Sequence, residues 1–107
     1  MITERNDDQL IVYLSGDMDH CCAQKLREEI EIHLRDQSIR KLIMDFSRVS
    51  FMDSSGIGML IGRYKTMADR GGLVFARGMQ PSVKRLFRMA GLHRIIAEQE
   101  PEGGIRR

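Results

Sequence analysis

The 107-residue chain has no tryptophan, only two prolines, and two cysteines that stand side by side as Cys21 and Cys22. Adjacent cysteines are too constrained to bridge each other in an ordinary disulfide, so covalent stapling is excluded and nothing points to an oxidising compartment. Aromatic residues are 6% of the chain, too few to stack bases, and no nucleic-acid partner is expected. No segment approaches the roughly 18 consecutive apolar residues of a membrane span. The opening Met1-Ile2-Thr3-Glu4-Arg5-Asn6-Asp7 also lacks the basic and apolar regions of a signal peptide, so no membrane association and a cytoplasmic location are expected. What is there is 42% hydrophobic residues in a length that suits one domain with one core.

Charge is small in sum and uneven in place. Net charge is +2, but residues 1–53 carry 7 basic and 11 acidic groups, whereas residues 54–97 carry 8 basic groups and a single acid, Asp69. Two readings stay open: segregation over solvated faces, or docking of a basic half onto an acidic partner surface.

Pattern along the chain gives the order ββαβαβαβ. Gln9-Leu10-Ile11-Val12-Tyr13-Leu14 reads as a strand stopped at Ser15-Gly16, with residues 2–5 as its hairpin partner across Asn6-Asp7-Asp8. Asp19 reads as an N-cap, followed by Ala23, Leu26, Ile30 and Leu34 at helical spacing to about residue 36. Strand 41–46 follows, then a helix entered through Ser54-Ser55-Gly56 and closed by Gly71-Gly72. Strand 73–76, a helix from Pro81 to Gly91 and a final strand 94–97 complete a domain over residues 1–97, leaving 98–107 as a frayed tail without apolar periodicity. Helices between successive strands call for an α/β fold, mostly parallel, with an antiparallel hairpin at the start.

The densest chemical signal is Phe51-Met52-Asp53-Ser54-Ser55-Gly56-Ile57-Gly58, where two hydroxyls, an acid and two glycines meet a helix start. Helix N-termini leave amide donors unpaired and carry partial positive charge, which suits an anion, above all a phosphate. Three readings follow. Gly56-x-Gly58 cradles a nucleotide phosphate; or a serine here is itself phosphorylated; or the segment is an ordinary serine N-cap followed by a glycine for close backbone approach. The nucleotide reading meets neither known pattern, since no lysine follows the glycines and Gly62 comes one residue late for a dinucleotide fingerprint.

Elsewhere the chemistry is thin. His20, Cys21, Cys22 and His33 lack the two-residue spacer of zinc sites, and Cys22 is expected to pack instead. No Gly-x-Ser-x-Gly elbow surrounds Ser54 or Ser55. Met44, Met59 and Met89 stand beside core positions and read as gap-fillers.

Residues 50–65, Ser50-Phe51-Met52-Asp53-Ser54-Ser55-Gly56-Ile57-Gly58-Met59-Leu60-Ile61-Gly62-Arg63-Tyr64-Lys65, resemble the phosphorylation-site segment of STAS domains, in particular the anti-sigma F factor antagonists of endospore-forming bacteria. Ser15-Gly16-Asp17-Met18-Asp19-His20 is similar to the family's Gly-Glu-Leu-Asp-His turn, and residues 81–92 to its third helix. The resemblance implies a phosphorylation-switched binding module that is not an enzyme and needs no cofactor. Its partners would be a dimeric anti-sigma factor that is also a serine kinase, holding ATP or ADP, and a metal-dependent serine phosphatase. It places the phosphate on Ser54, the serine after the motif aspartate, and the partner surface on Gly16, Asp19, Asp53, Ser55, Gly56, Ile57 and Gly58. The family's further C-terminal helix has no clear counterpart in residues 98–107, which hold Pro101 and Gly103-Gly104. Ser54-Ser55, where stress-type relatives carry Ser-Thr, and Gly62-Arg63-Tyr64-Lys65 favour the sporulation branch over the general-stress branch.

Overall fold

The computed structural model describes residues 1–99. Its elements are β1 (Ile2–Asn6), β2 (Gln9–Met18), α1 (His20–His33), β3 (Lys41–Met52), α2 (Ser54–Asp69), β4 (Leu73–Arg77), α3 (Pro81–Met89), a single 3-10 turn at Leu92–Arg94, and β5 (Ala97–Gln99). The five strands lie in chain order in one sheet. β1 pairs antiparallel with β2, and every other pair is parallel. The expected α/β class with its N-terminal hairpin is what forms. Asp7 closes that hairpin at φ 53°, a left-handed turn conformation that aspartate tolerates better than most residues.

Alternate strand residues build the core. Leu10, Val12 and Leu14 of β2, Leu42, Met44 and Phe46 of β3, and Val74 and Ala76 of β4 pack with Ile30 of α1, Leu60 and Met67 of α2, and Val83 and Phe87 of α3. The opposite parity gives Ile11 and Ile43, also buried, and a polar chain that crosses four strands. In it Arg77 Nε donates to Asp45 (2.8 Å), Arg77 Nη2 donates to the Tyr13 hydroxyl (3.3 Å), and that hydroxyl donates to Glu4 (2.9 Å). Burial raises the Asp45 carboxyl, but the bonds from Ser47 and the Arg77 guanidinium outweigh it and hold the group below its ordinary value.

Four elements have boundaries that differ from the sequence reading. β2 does not stop at Ser15-Gly16, and β3 does not stop at residue 46: both run on together to the pair Met18↔Met52, with register shifts at Tyr13/Ser15 and Gly16/Asp17. Gly16, at φ 88°, serves an irregularity inside the strand and not its end. The apolar pair expected to open the last strand is instead a turn. Gly91 leaves α3 at φ 79°, the Ile96 amide donates back to Leu92 O at 2.8 Å, and both side chains are buried one turn apart. β5 therefore starts at Ala97 and takes in Glu98 and Gln99, two residues beyond the expected end of the domain at 97. α1 ends at His33, earlier than expected, with Leu34 as its C-cap; Arg70 Nη2 donates to Leu34 O at 2.6 Å, and its Nη1 donates to Asp36 O and Ile39 O in the turns that follow. Whether the family's further C-terminal helix has a counterpart bears on residues 100–107, which lie outside those described.

Candidate functional site

β2 and β3 end side by side, so the two connections that follow them open at the same edge of the sheet. Each ends in an aspartate that caps a helix. Asp19 accepts from the Cys22 amide at 3.0 Å, and Asp53, with extended backbone (φ −117°), accepts from the Ser55 amide at 2.8 Å. Both carboxylates satisfy amides that the first helical turn leaves unpaired. Those Cys22 donors hold the Asp19 carboxyl below its ordinary value, and the same carboxylate pushes the Cys22 thiol up. The Asp53 amide donates to Met18 O (3.4 Å), tying the second connection to the end of β2.

Asp53 is the N-cap, so the expected serine cap is corrected. Ser54 is the first residue of α2, which frees its hydroxyl from capping. It is exposed, and among the described residues its Oγ has no hydrogen-bond partner. Ser55 is half-buried, with Oγ 3.4 Å from His20 Nδ1 across the cleft to α1. Two hydroxyls adjacent in sequence therefore have different surroundings: one faces solvent over a helix N-terminus, the other spans two helices.

The two glycines differ as well. A Cβ on Gly56 would fall 2.5 Å from Met52 Cγ and 3.2 Å from Met18 Cβ, whereas one on Gly58 would meet nothing within 4 Å. Gly56 lets α2 approach the ends of β2 and β3. Both lie within the helix and not in a loop, so the phosphate-cradling Gly56-x-Gly58 loop is not formed. Ile57 is half-buried against the core and Gly58 is exposed. Asp19, Asp53, Ser55, Gly56, Ile57 and Gly58 thus follow the ends of β2 and β3, though Gly56 is buried and acts through packing, while Gly16 lies within β2, two residues before its end.

Residues missed from sequence border the same edge. A groove of about 410 Å³ between α1 and α2 is lined by His20, Gln24, Arg27, Ser55, Gly58 and Met59. Phe51 stands 49% exposed, and the signal for it was Met52, whose burial turns its neighbour outward. Cys21 and Cys22 are both exposed, so Cys22 does not pack as expected, and Met89 is likewise exposed and fills no gap. Among the described residues no group of three or more His, Cys, Asp or Glu side chains is placed to hold a metal, and no helix is long and apolar enough to cross a membrane.

Comparison with known proteins places the chain in a family and agrees with its fold. The STAS domain family model matches residues 1–103. An anti-sigma F factor antagonist of Paenibacillus polymyxa is 33% identical over 93 residues, 87% of this chain and 80% of the relative. An anti-sigma-B factor antagonist of Listeria monocytogenes is 32% identical over 102 residues, 95% of this chain and 89% of the relative. The solved anti-sigma factor antagonist SpoIIAA in its unphosphorylated form superposes with a TM-score of 0.82 at 26% identity, covering 95% of this chain and 89% of that one. The phosphorylated form of the Bacillus protein gives 0.75 at 25% identity, covering 95% and 92%.

Proposed function

The chain belongs to the STAS domain family and, within it, to the anti-sigma factor antagonists, which are regulators and not enzymes, and we propose that phosphorylation of Ser54 is the switch that controls it. Unphosphorylated, it binds a dimeric anti-sigma factor that is also a serine kinase and so releases the sigma factor. The kinase transfers the γ-phosphoryl group of its ATP to Ser54 Oγ, the hydroxyl proton leaves, and ADP remains with the kinase. A serine phosphatase hydrolyses the ester to restore the active form. ATP and any metal belong to those partners, and the exchange takes place in the cytoplasm. The sigma factor is that of the sporulation branch, sigma F, supported by Ser54-Ser55 in place of Ser-Thr. The two branches otherwise match this chain almost equally, at 33% and 32% identity.

The observation that carries this reading is the contrast between the two serines. Ser54 offers an exposed, unengaged hydroxyl behind the capping Asp53, while Ser55 is turned into the α1–α2 cleft toward His20. A phosphate there adds about −1.5 to −2 charges, which the N-terminus of α2 partly offsets within the chain. Incubation with the anti-sigma factor and ATP should add the mass of one phosphate. Ser54→Ala should abolish the increase and Ser55→Ala should keep it; the reverse result assigns the site to Ser55 and overturns the proposal. In reconstituted transcription, release of sigma B and not of sigma F would move the chain to the stress branch.

A further inference from the structure

Among the described residues three buried side-chain nitrogens make no hydrogen bond, and two of them, Nε and Nη1, belong to Arg63. Arg63 lies in α2 with its side chain 8% exposed. Its Nε is 2.7 Å from Glu31 Oε2 but out of line for a hydrogen bond, and that oxygen already accepts from Thr66 Oγ1 at 3.1 Å. Burial pushes the guanidinium below its ordinary value, the Glu31 carboxylate offsets only part of this, and the positive charge of Arg27 adds to it. Buried charged donors without acceptors are costly and rare in folded proteins, and each calls for an acceptor.

The exposed remainder of Arg63 opens on a groove of about 460 Å³, lined also by Arg27, Glu28, Glu31, Ile32 and Arg35 of α1 and the turn after it. Residues 27, 31 and 35 are spaced four apart, a spacing that brings arginine and glutamate together on a helix. Among the described residues, however, neither Arg27 nor Arg35 has a carboxylate within 4.0 Å. Three guanidiniums and two carboxylates share the groove, so it is net positive, and Glu31 is already engaged by Arg63 and Thr66. Guanidinium groups offer donors and no acceptor, and their planar fork matches the oxygens of a phosphate or carboxylate. An oxyanion supplies both what Arg63 lacks, acceptors and negative charge. Arg63 is nine residues past Ser54 on α2, about 14 Å along the helix axis, so this groove is separate from the helix N-terminus.

We propose that the groove between α1 and α2 at Arg63 binds a small free oxyanion of the phosphate class, with Arg63 as its floor and Arg27 and Arg35 closing on it from the α1 side. The inference is independent of the switch at Ser54. Bound there, the anion joins α1 to α2 through charge-assisted hydrogen bonds and stabilises the folded chain.

The test is a titration of the full chain with inorganic phosphate, against chloride at the same ionic strength and pH, followed by backbone amide spectra. Saturable shifts should appear in residues 27–35 and 62–66, with half-saturation at about 1 mM. Arg27→Ala, a change at an exposed side chain, should weaken binding about tenfold. Arg63→Met should abolish it; if that variant does not fold, Arg27→Ala combined with Arg35→Ala gives the same reading from exposed positions. Glu28→Gln removes a repelling carboxylate and should tighten binding. Shifts confined to the first turn of α2 place the anion at the helix N-terminus and overturn the proposal. So does the lack of any saturable shift up to about 50 mM, which leaves water as the acceptor for Arg63. Equal affinity of Arg27→Ala and wild type overturns it as well.

Discussion

Gly56 and Gly58 lie two residues apart in one helix, and the structure predicts opposite signs for the same substitution. Ala at either position lowers the conformational freedom of the unfolded chain, a gain of about 0.5–1 kcal/mol in a helix interior. At Gly58 the added methyl meets nothing within 4 Å, so Gly58→Ala should keep that gain and raise the melting temperature by a few degrees. At Gly56 the methyl falls 2.5 Å from Met52 Cγ and 3.2 Å from Met18 Cβ. The Met52 side chain can swing away, but Met18 Cβ is fixed by β2, so α2 has to lift from the strand ends. Overpacking of this kind costs about 1–3 kcal/mol, and after the helical gain Gly56→Ala should be less stable by about 1–2 kcal/mol. The lift also moves Ser54, so phosphorylation by the anti-sigma factor should slow. Urea unfolding of both variants, with single-turnover phosphorylation, reads these outcomes. A Gly56→Ala protein as stable as Gly58→Ala would refute the packing argument.

Asp45→Asn should cost about 3 kcal/mol at neutral pH by leaving the Arg77 guanidinium without its counter-charge. Because the Asp45 carboxyl titrates below its ordinary value in the fold, the gap between wild type and variant should be full above about pH 4 and close as pH falls further, as equilibrium unfolding against pH would show. Arg70→Ala removes contacts to the carbonyls of Leu34, Asp36 and Ile39, from the cap of α1 through the turns that follow, and should destabilise by about 2 kcal/mol in urea, with faster amide exchange in the last turn of that helix. Asp19→Ala should weaken binding to the anti-sigma factor while Asp19→Asn, which keeps the cap, binds more nearly as wild type; unchanged affinity in Asp19→Ala removes this turn from the interface.

Local rules made the α/β order, the hairpin, Asp19 as a cap and the three helices legible, since each rests on periodicity or capping within a few residues. They failed where one residue type serves two ends. Ser15-Gly16 has the composition of a turn, but a strand irregularity also favours a positive-φ glycine, and only pairing with Arg48 and Val49 decides between them. Ile95-Ile96 is apolar as a strand should be, yet the tertiary fit of Leu92 and Ile96 one turn apart makes it a turn. At the site, Asp53 and Ser54 are both good caps. Choosing between them requires the backbone, and that choice leaves the Ser54 hydroxyl exposed. The groove residues Gln24 and Arg27 were not legible, because exposure at a sheet edge depends on what lies across it.

The most direct test of the switch is the affinity of the anti-sigma factor for the unmodified chain and for the chain phosphorylated at Ser54, measured by titration calorimetry alongside their backbone amide spectra. In a closed interface the phosphate has to shed water beside Asp53, and a buried, incompletely paired charge costs several kcal/mol, so affinity should fall by roughly a thousandfold. Amide shifts should stay around the start of α2 and not reach β4. Equal affinities would contradict the switch, and widespread shifts through Leu73–Arg77 would replace local repulsion with a change of conformation.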